Sequence, residues 1–248
     1  MSLLLIDAGN TRIKWAIAAP GAALGAWTLL DAVSHAGLDG AADAWRKAGV
    51  TRALVSNVAG AALRERIAQA LPTGIAVEWF ASTAERAGLH NGYRNPGQLG
   101  CDRFAAAIGA RALAPRQNLI VATCGTATTV DAVSADGLFV GGMILPGLAL
   151  MASSLASNTA QLPQVVPGAV PALFGDNTND AILSGVLSAQ AGAIERAVAG
   201  HGASSCIVSG GAAPTIAPAL KVAHRVVDNI VLVGLQAATA WREGEARC

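Results

Sequence analysis

The amino-acid sequence predicts an α/β protein built from two similar halves. Three observations carry this. Short runs rich in Leu, Ile and Val alternate with Ala-rich stretches of helical period along the whole chain. A segment near the start recurs in the middle, with Leu4 to Thr11 (LLIDAGNT) lying over Ile120 to Ala127 (IVATCGTA) at an offset of 116 residues. Finally, 248 residues that are 53% apolar and 13% charged can bury a large core, which excludes a disordered polyelectrolyte.

Taken in order, LLLID ends a first buried strand at Asp7, and the alternating run Arg12 to Ala18 returns beside it as a β-hairpin. AADAWRKA predicts a helix, RALVSN a strand, GAALRERIAQAL a helix, IAVEWF a strand and DRFAAAIGARAL a helix starting near Asp102. LIVAT then opens the second half, and Thr128 to Val133 closes a second hairpin. LFVGGMI reads as a strand, followed by a helix after Pro146 and a long helix from about Thr178 to Val198. CIVSGG reads as a strand running into a glycine turn, with helices around Ile216 and from Asn229 to Trp241. The halves are expected to meet near residue 115, giving domains 1–115 and 116–248.

Composition also narrows the partners. Seventeen basic and sixteen acidic residues leave a net charge of +1, too little field to hold nucleic acid through its phosphates. MILPGLALMASSL is short and holds Pro146, and VVDNIVLVGLQAATA holds Asp228 and Asn229, so no membrane span is expected. The N-terminus lacks a basic leader and places Asp7 where an apolar signal core would continue, which points to the cytoplasm. Cys101, Cys124, Cys206 and Cys248 form no C-x-x-C pair, and His35, His90, His201 and His224 are scattered, so reduced thiols and no His/Cys metal site are expected.

Several segments carry chemistry-bearing residues. In Asp7-Ala8-Gly9-Asn10-Thr11, Gly9 lets an anion approach the backbone, Asn10 and Thr11 can donate hydrogen bonds, and Asp7 can hold hydrated magnesium; Lys14 projects from the same hairpin. The alternative is an ordinary tight turn with a surface lysine. Both standard glycine-rich nucleotide fingerprints, the Walker-A pattern and G-x-G-x-x-G, are absent. Tyr93 to Arg103 (YRNPGQLGCDR) leads into a helix, where Asp102 is either an N-terminal capping residue or a proton acceptor and Arg103 can clamp an anion. Thr123 to Asp131 is the second polar turn, Gly141 to Gly147 a close-approach segment, and Asp176-Asn177-Thr178 a capping run with room for a ligand role. Ser209-Gly210-Gly211-Ala212 is suited to lie beside a flat base.

In this order the motifs DAGNTRIKWA, Y-x-x-P-x-x-LG-x-DR, GTATTVDAV, GGMILPGLALM and DNTNDAILSGV resemble those of the type III pantothenate kinases. That family belongs to the acetate-kinase, sugar-kinase, Hsp70 and actin superfamily. The resemblance implies two ribonuclease-H-like, actin-like ATPase domains with mixed sheets flanked by helices, ATP held between them, and a homodimer whose interface helps form the pantothenate site. It implies ATP-dependent phosphorylation of pantothenate to 4'-phosphopantothenate, the first step of coenzyme A synthesis. Carried over by position, Asp7, Ala8, Gly9, Asn10, Thr11, Arg12, Ile13 and Lys14 look like the ATP phosphate loop, with Asp7 near Mg2+ and Thr126 a second ATP contact. Asp102 looks like the proton acceptor, and Tyr93, Gly100, Arg103 and Thr178 like pantothenate contacts, with Cys101 and Asp102 inside the same substrate-binding block.

Thr123 departs from the family, many of whose members carry there an Asp that holds potassium or ammonium; activation by a monovalent cation is therefore expected to be weak or absent. Two rival readings remain open: a kinase or phosphatase of the same superfamily acting on another small hydroxyl compound, and a non-catalytic regulator of gene expression. No helix-turn-helix signal supports DNA contact by the latter.

Overall fold

The structure is a computed structural model that describes residues 2–166, 168 and 171–240, so Trp241, the expected end of the last helix, and Cys248 lie outside the described residues. The chain forms two compact units. Among the described residues, one holds 2–115, 137–139 and 229–240, and the other those of 116–136 and 140–228.

In the first unit β1 (Ser2–Ala8) and β2 (Arg12–Ala18) form the expected hairpin, with Asp7 opposite Lys14 and Ala8 opposite Ile13. β3 (Leu29–Ser34) adds antiparallel to β2, while β4 (Val50–Asn57) and then β5 (Ala76–Trp79) add in parallel on the far side of β1. The strand order is β3-β2-β1-β4-β5. One face of this sheet is covered by α1 (Leu38–Lys47) and α2 (Ala61–Ala70). α1 buries Leu38, Ala41, Ala42 and Trp45, the i, i+3, i+4, i+7 spacing of one helical face, and Trp45 meets Trp15 edge to face at 6.1 Å.

The other face carries α3 (Cys101–Leu113) and α7 (Ile230–Ala240). These two helices touch backbone to backbone. A β-carbon at Gly109 would fall 2.8 Å from the Gly234 nitrogen and the Ile230 oxygen, and one at Gly234 would collide with the Ala105 carbonyl. Buried Gln236 of α7 then fixes the β2–β3 loop, accepting from Gly25 N at 2.9 Å and Trp27 Nε1 at 3.0 Å and donating to the carbonyls of Ala22 and Ala23.

The second unit repeats the plan. β8 (Leu119–Cys124) and β9 (Ala127–Val133) form the second hairpin, β10 (Leu138–Pro146) follows β9, and β11 (Ser205–Ser209) and β12 (His224–Val226) add in parallel beside β8. The order β10-β9-β8-β11-β12 matches that of the first unit strand for strand. The short strands β6 (Glu85–Arg86) and β7 (Leu89–Asn91) pair with each other, and β7 pairs with Leu138 and Phe139 at the start of β10, residues that group with the first unit.

α4 (Leu148–Asn158), α5 (Thr178–His201) and the short α6 (Ala213–Ile216) complete this unit. α5 starts where the Asn177 side chain accepts from Asp180 N at 3.0 Å, and it stops at Gly202, whose φ of 61° only glycine adopts readily. The fold is thus α/β with two mixed sheets flanked by helices. β3, β6, β7 and β12 are strands that the sequence pattern did not reveal.

Candidate active site

The carboxyl ends of β1 and β4 gather the first unit's chemistry. Asp7, Lys14 and Ser56 stand on neighbouring strands at one register level, and α3 begins beside them. Burial pushes the Asp7 carboxyl up from 3.8 to about 7; the Lys14 charge pulls it back down and the Asp102 charge adds to the rise. Burial also raises the Asp102 carboxyl, opposed by the Arg103 amide and the Arg103 charge. The Arg103 N–H donates to Asp102 Oδ1 at 2.8 Å, so Asp102 sits in the first turn of α3 with its side chain folded onto the helix start.

Gly100 precedes that turn, and a β-carbon there would lie 2.6 Å from Asp102 Oδ1. Cys101, half-buried, points toward β4: its Sγ lies 3.3 Å from Ser56 Oγ and 3.6 Å from the Asn57 carbonyl. Burial raises this thiol's pKa, so it packs as a weak polar group.

Arg103 is 6% exposed and donates from Nη1 to the Tyr93 hydroxyl at 2.8 Å. Its guanidinium lies 5.7 Å from the Tyr93 ring and 5.8 Å from the Phe139 ring, whose planes meet edge to face. The only tyrosine of the chain therefore orients the arginine that follows Asp102.

In the β1–β2 turn, Gly9 N donates to Arg12 O at 3.0 Å, leaving Asn10, Thr11 and Arg12 exposed. Ala8 and Ile13 are fully buried, so of the loop residues these two can offer a ligand only backbone atoms.

In the second unit the equivalent turn is one residue tighter, with Gly125 N donating to Ala127 O at 3.0 Å and Thr126 exposed at its tip. Glycines from two other segments brace it. Gly147 N donates to Thr126 O at 2.9 Å, and a β-carbon on Gly147 would collide with the Gly125 carbonyl; one on Gly210, at φ 96°, would collide with the Cys124 carbonyl. Gly147 of GGMILPG and Gly210 of SGGA are thus needed for packing the turn, whereas a β-carbon on Gly141 or Gly211 would meet nothing within 4 Å. Thr178 opens α5 and lines an apolar groove of about 540 Å³ between α4 and α5, together with Met151, Leu155, Leu162, Ile182 and Val186.

Asp7, Lys14, Tyr93, Gly100, Cys101, Asp102 and Arg103 thus belong to the first unit, and Thr126 and Thr178 to the second. Two neighbours of the site escaped sequence reasoning. Ser56 was visible only as the small polar residue ending RALVSN, and Phe139 gave no signal, because its partners Tyr93 and Arg103 lie far away in sequence.

Two sheets of one strand order, each opening on a hairpin with a polar glycine turn, define an actin-like ATPase fold. Solved structures agree on the fold: the activator of the 2-hydroxyisocaproyl-CoA dehydratase from Clostridium difficile has a TM-score of 0.56 at 13% identity, covering 96% of this chain and 92% of that one. The ethanolamine utilization protein EutJ from Carboxydothermus hydrogenoformans has 0.57 at 13% identity, covering 98% and 90%.

Sequence comparison is narrower. The type III pantothenate kinase family model matches residues 3–200. A type III pantothenate kinase of Herminiimonas arsenicoxydans is 55% identical over 94% of this chain and 95% of its own, and one of Aromatoleum aromaticum is 48% identical over 98% and 99%. The chain belongs to the type III pantothenate kinase family.

Proposed function

We propose that this protein transfers the γ-phosphoryl group of ATP to the terminal hydroxyl of pantothenate, giving 4'-phosphopantothenate and ADP in the first step of coenzyme A synthesis. The observation that carries the mechanism is Asp102, a carboxylate at the mouth of α3 whose basicity is raised by burial and whose position is set by Gly100 and the Arg103 amide. Asp102 accepts the hydroxyl proton as the new O–P bond forms and the bond between the β-γ bridging oxygen and the γ-phosphorus breaks. Arg103, braced by Tyr93, orients the substrate as a fixed cation. The hairpin Asp7 to Lys14 and Thr126 offer amides, hydroxyls and a cation to the triphosphate.

Magnesium binds through few carboxylates plus phosphate oxygens. Asp7 fits that donor set, and among the described residues no group of three or more His, Cys, Asp and Glu forms an all-protein cage. The ion supplies charge neutralisation on the phosphates. The uncharged Thr123 supports activity that does not depend on potassium or ammonium.

A homodimer in the cytoplasm completes the reading. The groove lined by Thr178 lies in the same unit as Leu173 and Phe174, which are 67% and 87% exposed, so this unit offers both a cleft and protruding apolar groups for a second copy. No described helix is long and apolar enough to cross a membrane. Coupled ADP release with pantothenate tests the whole reading. Turnover with pantothenate far above that with other small alcohols supports it, and calorimetry showing no binding of ATP or pantothenate would favour a regulator instead.

A further inference from the structure

The phosphate hairpin is held by a side chain from outside its own sequence. His35, at the first residue after β3, places Nε2 2.9 Å from the carbonyl oxygen of Gly9. A carbonyl only accepts, so the imidazole proton resides on Nε2 and is donated to Gly9. β3 brings the ring there, because its last residue, Ser34, pairs with Arg12 at the other end of the same turn. The backbone of His35 is tied in turn: Arg66 of α2 donates from Nη2 to the His35 carbonyl at 2.9 Å.

Holding this one carbonyl fixes more than one atom. The Gly9–Asn10 peptide is trans and planar, so its C=O and N–H point in opposite directions. With the Gly9 oxygen tied to His35, the Asn10 N–H must face away from the ring. The other polar group of Gly9, its own N–H, is already committed to the Arg12 carbonyl at 3.0 Å. Glycine has the widest conformational freedom of any residue, so an untied Gly9 could let this peptide plane rotate and turn an oxygen toward a phosphate.

Resting on the ATP-dependent reading above, we infer that His35 is a positioning residue for the nucleotide: by anchoring the Gly9 carbonyl it presents the Asn10 amide N–H to a phosphate oxygen of ATP. It touches neither nucleotide nor acceptor. Its effect belongs to the triphosphate and to neither adenosine nor pantothenate.

The test compares wild type, His35→Ala and His35→Gln, whose side-chain amide can still donate. Calorimetry with ATP and with adenosine is paired with steady-state KM values for ATP and pantothenate. His35→Ala is expected to weaken ATP binding and raise the ATP KM about 10-fold, as for one hydrogen bond to a charged group, with adenosine binding and the pantothenate KM unchanged. His35→Gln should recover most of the loss. Unchanged ATP affinity in His35→Ala would overturn the inference while leaving the kinase reading intact, and so would equal losses for ATP and adenosine or no recovery in His35→Gln. Wild-type protein that binds no ATP would remove both.

Discussion

Gly100 and Asp102 are coupled through empty space: a β-carbon on the glycine would fall 2.6 Å from Oδ1 of the carboxylate. Since 2.6 Å is well inside van der Waals contact, Gly100→Ala must push the carboxyl group off its hydrogen bond with the Arg103 amide. The proposed base would then be misplaced with its chemistry intact. We expect kcat to fall about 10- to 100-fold, the scale of a displacement near 1 Å, with little change in the ATP KM. Steady-state kinetics measure this, and a wild-type kcat would show that the carboxyl position is immaterial.

Asp102 itself predicts a pH profile. Its pKa is raised by burial, and a proton acceptor must be ionised, so turnover should fall as pH drops through a value above the ordinary aspartate range. Asp102→Asn should keep the circular dichroism spectrum and lose about 100- to 10,000-fold in kcat, along with that acid limb. An acid limb persisting in the asparagine variant would assign it to another group.

Asp7, the proposed magnesium ligand, ties stability to pH. Its carboxyl titrates near 7 in the folded chain against 3.8 ordinarily, so the folded state holds a proton that the unfolded state releases between those values. The stability this group contributes is complete below about pH 3.8 and is lost as pH climbs toward 7. With a chelator present, wild-type Tm should therefore fall from pH 5 to pH 8 more steeply than that of Asp7→Asn. At pH 8 the variant should melt higher by at least about 3 °C, while its activity is lost. Parallel melting curves across that range would sink the assignment.

How much the sequence revealed depended on what kind of force shaped each element. Buried strands such as Leu4 to Ile6 and Ile120 to Ala122 announce themselves by continuous apolar runs, and their repetition pointed to two similar halves, each opening on a hairpin. β3 stayed hidden because five of its six residues are exposed, so no face alternates; its pairing comes from β2. β6, β7 and β12 are two or three residues long, too short for any period. At the site, residues inside motifs were legible, whereas Phe139 against Tyr93 and His35 against Gly9 are meetings made by the fold and leave no local pattern.

Among these tertiary meetings the contact between α3 and α7 is the least forgiving. Gly234→Val would drive a branched side chain into the Ala105 carbonyl, and neither backbone can retreat without tilting α3. A loss of about 2–4 kcal/mol is expected in urea unfolding, with kcat lowered as well because Asp102 rides on α3. Unfolding that matches wild type would mean the helices can separate freely.

The last prediction concerns a missing charge. Thr123 on β8 pairs with Thr129 of β9 and, in parallel, with Ser209 of β11, so three hydroxyls meet at one level of the sheet with no formal charge among them. Asp131, the next residue along the same face of β9, is 1% exposed and already engaged in an interaction of its own. A monovalent cation stripped of water needs anionic or well-ordered oxygen ligands to repay its dehydration, and hydroxyls alone repay it poorly. Turnover in potassium should therefore stay within about twofold of turnover in sodium, a difference of under 0.5 kcal/mol in the barrier. Thr123→Asp, which restores a carboxylate at that level, should create a potassium preference. Strong potassium stimulation of the wild-type chain would show that the hydroxyls suffice, and the argument from charge would fail.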